Sequence, residues 1–295
     1  MLSPDVLRQV KRVQIRTRRL VDGIFAGEYH SVFKGRGMEF AEVREYVPGD
    51  DIRTIDWNVT ARLGHPYVKK HVEERELTVM LLVDISASGA FGSADRSKGE
   101  IAAEIAAVLA MSAINNNDKV GLILFSDRIE KFVPPQKGRN KVLRLIREIL
   151  YADPEGTGTD IGRALDYLCS TTHRRSVGFL ISDFLGTGYE KSVRVAHQRH
   201  DIVPICLIDP REDALPQVGL VWLEDLETGE LVLVDTDSRE VRDWYRGQRE
   251  QTDTRRRQFF RSIGLDTVDI RTDQPYFGPL LRFFRNRERR LAQGR

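Results

Sequence analysis

The apolar positions of this chain alternate between two spacings. Residues 77–83, Leu-Thr-Val-Met-Leu-Leu-Val, form a short, nearly continuous apolar run closed by Asp84, the mark of a strand buried on both faces. Residues 98–115 carry Ala and Ile at helical spacing, and 119–125 return to a strand-like run. The alternation continues with a short antiparallel edge at 129–133, ended by Pro134-Pro135, and helices at 140–150 and 160–171. A strand at 176–182, a helix at 188–199 and a strand at 202–208 follow. Strand and helix in alternation predict an α/β fold, with a doubly wound, mainly parallel sheet covered on both faces.

Outside 77–208 the pattern is less regular. Val6, Val10, Val13 and Leu20 among Lys11, Arg12, Arg16, Arg18 and Arg19 predict a basic amphipathic helix over 4–22, with Ser3 as N-cap. No aromatics interleave those charges, so they read as a solvated face. Residues 30–76 read as short strands and turns. Leu63-Gly64-His65-Pro66 separates extended runs at 56–62 and 67–76, which predicts a hairpin. A segment of about 47 residues is too short for a core of its own. Phe40, Val43, Tyr46, Ile52, Ile55 and Trp57 are therefore expected to pack together and on the α/β body. Further on, the pattern predicts a hairpin from 218–223 and 230–234 and a charged helix at 239–260 closed by Gly264. A strand at 267–271 and a helix at 280–291 complete the reading. The divisions are a basic helix at 1–27, a β-rich segment at 28–76, and the α/β domain with its helical extension at 77–295.

Composition narrows the classes. Lys and Arg number 46 against 44 Asp and Glu, a net charge of +2, which argues against nucleic acid as the main partner. Cys169 and Cys206 stand in apolar surroundings without a CxxC, as expected of buried free thiols in a reducing compartment. No apolar stretch approaches the ~20 residues of a membrane span. The first residues lack a signal-peptide centre, so a cytoplasmic protein is expected.

The candidate chemistry begins at Asp84-Ile85-Ser86-Ala87-Ser88, beyond the carboxyl end of the first buried strand, where open α/β sheets bind ligands. One carboxylate and two hydroxyls at alternate positions are half of an oxygen site for a hard cation. A polar turn has the same composition, and the pentapeptide alone leaves both readings open. Gly156-Thr157-Gly158-Thr159-Asp160 adds a hydroxyl, and Asp183 ends a second buried run. Two like charges at one sheet edge favour a shared cation. The set Asp84, Ser86, Ser88, Thr157 and Asp183 resembles, residue by residue, the metal-ion-dependent adhesion site of von Willebrand factor A domains. That resemblance implies Mg²⁺ or Mn²⁺, held partly through water, with one position open to a partner's carboxylate. Other chemistries find less support. Ser86 stands where haloacid dehalogenase-type phosphotransferases place a second Asp. His30, His65, His71, His173, His197 and His200 lie in no triad context, and His197 and His200 read as solvated. A GxxxxGK[ST] phosphate loop is absent.

The stretch before this site narrows the resemblance. Gly35-Arg36-Gly37-Met38-Glu39-Phe40, Val43-Arg44-Glu45-Tyr46-Val47-Pro48-Gly49-Asp50-Asp51-Ile52-Arg53 and Ile55-Asp56-Trp57-Asn58-Val59-Thr60-Ala61-Arg62 are similar to the signature of the domain-of-unknown-function 58 family. Those proteins join such a segment to a von Willebrand A-like domain and are associated with MoxR-type AAA+ ATPases. The resemblance implies a non-enzymatic, divalent-metal-dependent protein-binding adaptor, working with such an ATPase in maturation or assembly of client complexes. Two alternatives stand beside it. One is a metal-dependent hydrolase using the same cation as Lewis acid. The other is a nucleic-acid adaptor working through the basic termini, including Arg282, Arg285, Arg287, Arg289 and Arg290.

Overall fold

The structure, a computed structural model, describes residues 29, 32–33, 42–70, 76–90, 92, 96–225 and 229–293. The expected helix at 4–22 and the signature stretch Gly35-Arg36-Gly37-Met38-Glu39-Phe40 lie outside the described residues.

In the first part, β1 (Glu42–Glu45), α1 (Trp57–Leu63) and β2 (Tyr67–Lys70) follow one another, and β1 pairs antiparallel with β2. Here the sequence expectation fails, because 57–63 is a helix and not a strand. The Asp56 carboxylate accepts from Asn58 N and Val59 N at 3.0 and 3.3 Å. Gly64, at φ +79°, closes the helix by donating to Thr60 O at 2.9 Å. Two good caps outweigh the weak strand preference of Val59 and Thr60. The expected packing fails at two positions, since Ile52 is 65% exposed and Trp57 67%, whereas Tyr46 and Ile55 are half-buried. Tyr29, Val32 and Phe33, by contrast, belong to the α/β core. Tyr29 is fully buried, its hydroxyl donating to Asp118 Oδ2 at 3.3 Å. Phe33 meets Phe179 and Phe284 with ring centroids 5.9 and 5.8 Å apart.

The body consists of β3 (Thr78–Asp84), α2 (Lys98–Asn115), β4 (Lys119–Phe125), β5 (Ile129–Gln136), α3 (Arg139–Leu150), α4 (Ile161–Thr171), β6 (Val177–Ser182), α5 (Glu190–Arg199) and β7 (Asp201–Ile208). Then come α6 (Pro210–Asp213), β8 (Leu220–Glu224), β9 (Leu231–Asp235), α7 (Arg239–Ser262), β10 (Val268–Arg271) and α8 (Phe277–Ala292). The main sheet runs β10-β7-β6-β3-β4-β5, parallel except for β5. This is the expected doubly wound α/β sheet. Pro134-Pro135 do not end β5, which continues to Gln136, because an edge strand tolerates the missing N–H groups. Helices α2, α3 and α8 cover one face, where Leu81, Ile105, Ile146, Phe179 and Phe284 pack. Helices α4, α5 and α7 cover the other, with Leu82, Phe125, Leu165, Leu180 and Phe260. β8 and β9 form a separate two-stranded hairpin. Among the described residues, no helix is long and apolar enough to cross a membrane.

The topology sets the position of any site. After β3 the chain builds outward through β4 and β5, then returns past β3 to β6 on its other side. The carboxyl ends of β3 and β6 therefore flank the point where the strand order reverses, the crevice in which such sheets bind ligands.

Candidate functional site

Asp84 is the last residue of β3, and Ser182-Asp183 leave β6 beside it. Both carboxylates are buried, Asp84 at 9% exposure and Asp183 at 4%. Asp84 Oδ1 accepts from Ser86 N at 3.0 Å, and Oδ2 accepts from Ser182 Oγ at 2.6 Å. Ser86 Oγ lies 3.0 Å from Ser88 Oγ. The Thr157 loop adjoins this turn, because Ala87 N donates to Thr157 O at 3.2 Å. That loop is held from below: Gly156 N donates to Glu130 Oε1 at 2.9 Å, and Asp160 N to Ser126 O at 2.8 Å. Gly156 has no room for a side chain, since a Cβ there would stand 2.0 Å from Asp127 Oδ1 and 2.4 Å from Ser126 Oγ. Asp84, Ser88, Ser182 and Asp183 border one cavity of about 10 Å³, room for a single water, and the Lys98 side chain borders it too, whereas Ser86 and Thr157 do not.

The site contains a charge that the sequence reading missed. Lys98, at the first position of α2, has a side chain only 2% exposed. Its Nζ donates to Asp183 Oδ2 at 2.6 Å and to Glu212 Oε1, on α6, at 2.5 Å. Asp183 Oδ1 accepts from Leu185 N at 3.2 Å. Glu212 also faces Arg249 of α7 at 3.4 Å, and Asp213 pairs with Arg271 of β10 at 2.9 Å. One signal for Lys98 was available: a lysine in the first turn opposes the helix dipole and calls for acids nearby. Glu212 lies 114 residues away, so the pairing itself left no local mark.

The electrostatics divide the two acids. Burial, and next the charge of Asp183, push the Asp84 carboxyl up to about 6, against the lowering effect of the Ser182 and Ser86 hydrogen bonds. Burial works to lower the Lys98 ammonium, but Asp183 and Glu212 outweigh it and hold it above its ordinary value. The positive partner demanded by two neighbouring acids is thus, for Asp183, a lysine of the same chain. Asp84 pairs with no cation among the described residues, which also contain no cluster of three or more His, Cys, Asp or Glu side chains poised for a metal. The oxygen set at Asp84 suits a hard cation in its chemistry: a carboxylate, two hydroxyls and an adjoining threonine loop.

His200 proves buried and not solvated: its Nδ1 lies 3.0 Å from Ser176 Oγ, at the start of β6 and the opposite sheet edge from Asp84. Burial there lowers the imidazole pKa. Cys169 and Cys206 are free and buried, as expected.

A family profile described as "Protein of unknown function DUF58" matches residues 42–256. The uncharacterized protein Rv1480 of Mycobacterium tuberculosis is 31% identical over 296 residues, covering 99% of this chain and 93% of its own length. The uncharacterized protein MAV169 of Mycobacterium avium is 31% identical over 167 residues, 55% of this chain and 98% of its own. Among solved structures, the conserved hypothetical protein BatB of Bacteroides thetaiotaomicron aligns at 15% identity and a TM-score of 0.44, over 72% of this chain and 99% of that one. The SpRpn10 VWA domain aligns at 13% identity and a TM-score of 0.39, over 70% of this chain and 94% of that one.

Proposed function

The chain belongs to the family described as protein of unknown function DUF58, and from that premise we propose that it is a non-enzymatic, divalent-cation-dependent protein-binding module. One observation carries the reading. Asp84 is a buried carboxylate at the switch point of the sheet, surrounded by hydroxyls and a second acid, with no cation of its own among the described residues. An isolated buried carboxylate is costly unless it is neutralised or paired.

Asp84, Ser86, Ser88 and Thr157 would hold a Mg²⁺ or Mn²⁺ ion, with Asp183, its charge balanced by Lys98, standing beside them. The bound ion supplies a Lewis-acidic position that an acidic side chain of a partner can fill. The chain's own part is to keep the oxygens in place. Lys98 ties the start of α2 to Asp183 and to α6, and the buried Gly156 lets the Thr157 loop lie close to Ser126. The partner class, a MoxR-type AAA+ ATPase or its client, rests on the family resemblance. The test is capture of a purified MoxR-type ATPase on the immobilised full-length chain, in Mg²⁺ and in EDTA. Retention in Mg²⁺ alone, lost in Asp84→Ala, supports the proposal; equal retention in EDTA contradicts it.

A further inference from the structure

Two surfaces of this chain remain unexplained, and they are complementary. The first is the β8–β9 hairpin. On one of its faces Leu220, Trp222, Leu231 and Leu233 are 69%, 66%, 58% and 49% exposed. Residues 218–237 contain six acids and no Lys or Arg, in a chain whose net charge is +2. Among the described residues the hairpin is a two-stranded sheet of its own, and both strands present an open edge. Exposed apolar strands with open edges are templates for pairing with another chain.

The second surface is the other open edge, β10. Among the described residues it pairs with β7 alone and lies between α7, packed on one face of the sheet, and α8, packed on the other. Two adjoining grooves of about 490 and 350 Å³ lie at its start, both lined by Asp266, Thr267, Asp269 and Arg290. Arg257 and Arg261 line the first groove, Arg282 the second, and Arg290 both. Arg290 pairs with Asp266 at 2.6 Å and Arg257 with Asp269 at 3.1 Å. Arg261 and Arg282 are exposed and make no ion pair among the described residues.

The hairpin cannot reach this slot in its own chain. It is fastened to the start of α7, where Arg242 Nη1 donates to Thr236 O at 2.5 Å, whereas the slot lies at Phe260 and Arg261. Those ends are separated by about 27 Å of helix at 1.5 Å per residue. We propose that the acidic hairpin of one copy adds to the β10 edge of a second copy, between α7 and α8. Acids then face Arg261 and Arg282, and the apolar face is covered. The contact is head-to-tail, each copy using the hairpin on one side and the slot on the other. It needs no cation at Asp84 and stands apart from the function proposed above.

The test is sedimentation velocity of the full chain in EDTA. Association should grow with concentration and weaken in 0.5 M NaCl, because the contact is between exposed charges. Arg261→Glu/Arg282→Glu, and separately Trp222→Ser/Leu233→Ser, should each weaken it at least tenfold. Mixed in equal amounts, the two variants should form a dimer and nothing larger, since one intact hairpin and one intact slot remain. A chain that stays monomeric at all concentrations overturns the proposal. So does association that survives both double substitutions, or a mixture that gives no dimer.

Discussion

Replacing Asp84 with Asn removes the charge whose burial the site must tolerate. The carboxyl titrates near 3.8 when unfolded and about 6 in the fold. A raised acid binds more protons folded than unfolded between those values, so this group lowers stability as pH rises through that window. At about 1.4 kcal/mol per pH unit the full loss is about 3 kcal/mol, most of it between pH 4 and 7.5. In Asp84→Asn the amide oxygen keeps the bond from Ser86 N, and the amide nitrogen meets Ser182 Oγ, which already accepts from Phe184 N at 3.1 Å. The Ser182 hydroxyl then lacks its acceptor at either pH, so the prediction is a change: the variant should gain on the parent by about 2–3 kcal/mol between pH 4 and 7.5. Urea unfolding of both proteins in EDTA at the two pH values measures this. A parent–variant difference that does not change between pH 4 and 7.5 would refute the reasoning.

Further expectations follow from the same geometry. Lys98→Met leaves Asp183 and Glu212 without their shared ammonium and should cost about 3–5 kcal/mol in urea unfolding at pH 7, the range for breaking a buried pair; a loss under 1 kcal/mol would mean the pair is not closed in solution. Gly156→Ala drives a methyl toward Ser126 and Asp127 and should cost about 1–3 kcal/mol while weakening metal-dependent stabilisation, as thermal melts with and without Mg²⁺ would record. Tyr29→Ala opens a cavity beside Phe33 and Phe284 and should cost about 3–4 kcal/mol, although Tyr29 lies nearly fifty residues before β3; an unchanged urea midpoint would place Tyr29 outside the core.

The sequence revealed the body of the fold where periodicity runs long. The strands β3, β4, β6 and β7 and the helix α2 fall within a residue or two of their expected limits, because each is buried along nearly its whole length. Strand order also brings Asp84 and the Ser182-Asp183 step together, since both close strands that neighbour each other at the switch point. The misread parts depended on local signals of another kind. Trp57–Leu63 has β-branched members but is decided by Asp56 and Gly64 at its ends. His200 looked like half of an exposed pair, yet its turn brings it onto Ser176 at the foot of the sheet. Ile52 and Trp57 were assigned to a core on apolarity alone, which says nothing of what lies opposite them. The Lys98–Asp183–Glu212 triad joins three distant segments, and only the folded chain reveals it.

The oxygens around Asp84 are proposed to hold a divalent cation. Calorimetric titration of Mn²⁺ and Mg²⁺ into the full chain at pH 7.5 tests it most directly, with Asp84→Asn titrated in parallel. One ion should bind per parent chain and none to the variant, and urea unfolding with the ion at a hundred times its dissociation constant should show a gain of about 2.7 kcal/mol in the parent alone. No binding in the parent, or equal binding in Asp84→Asn, would contradict the proposed site.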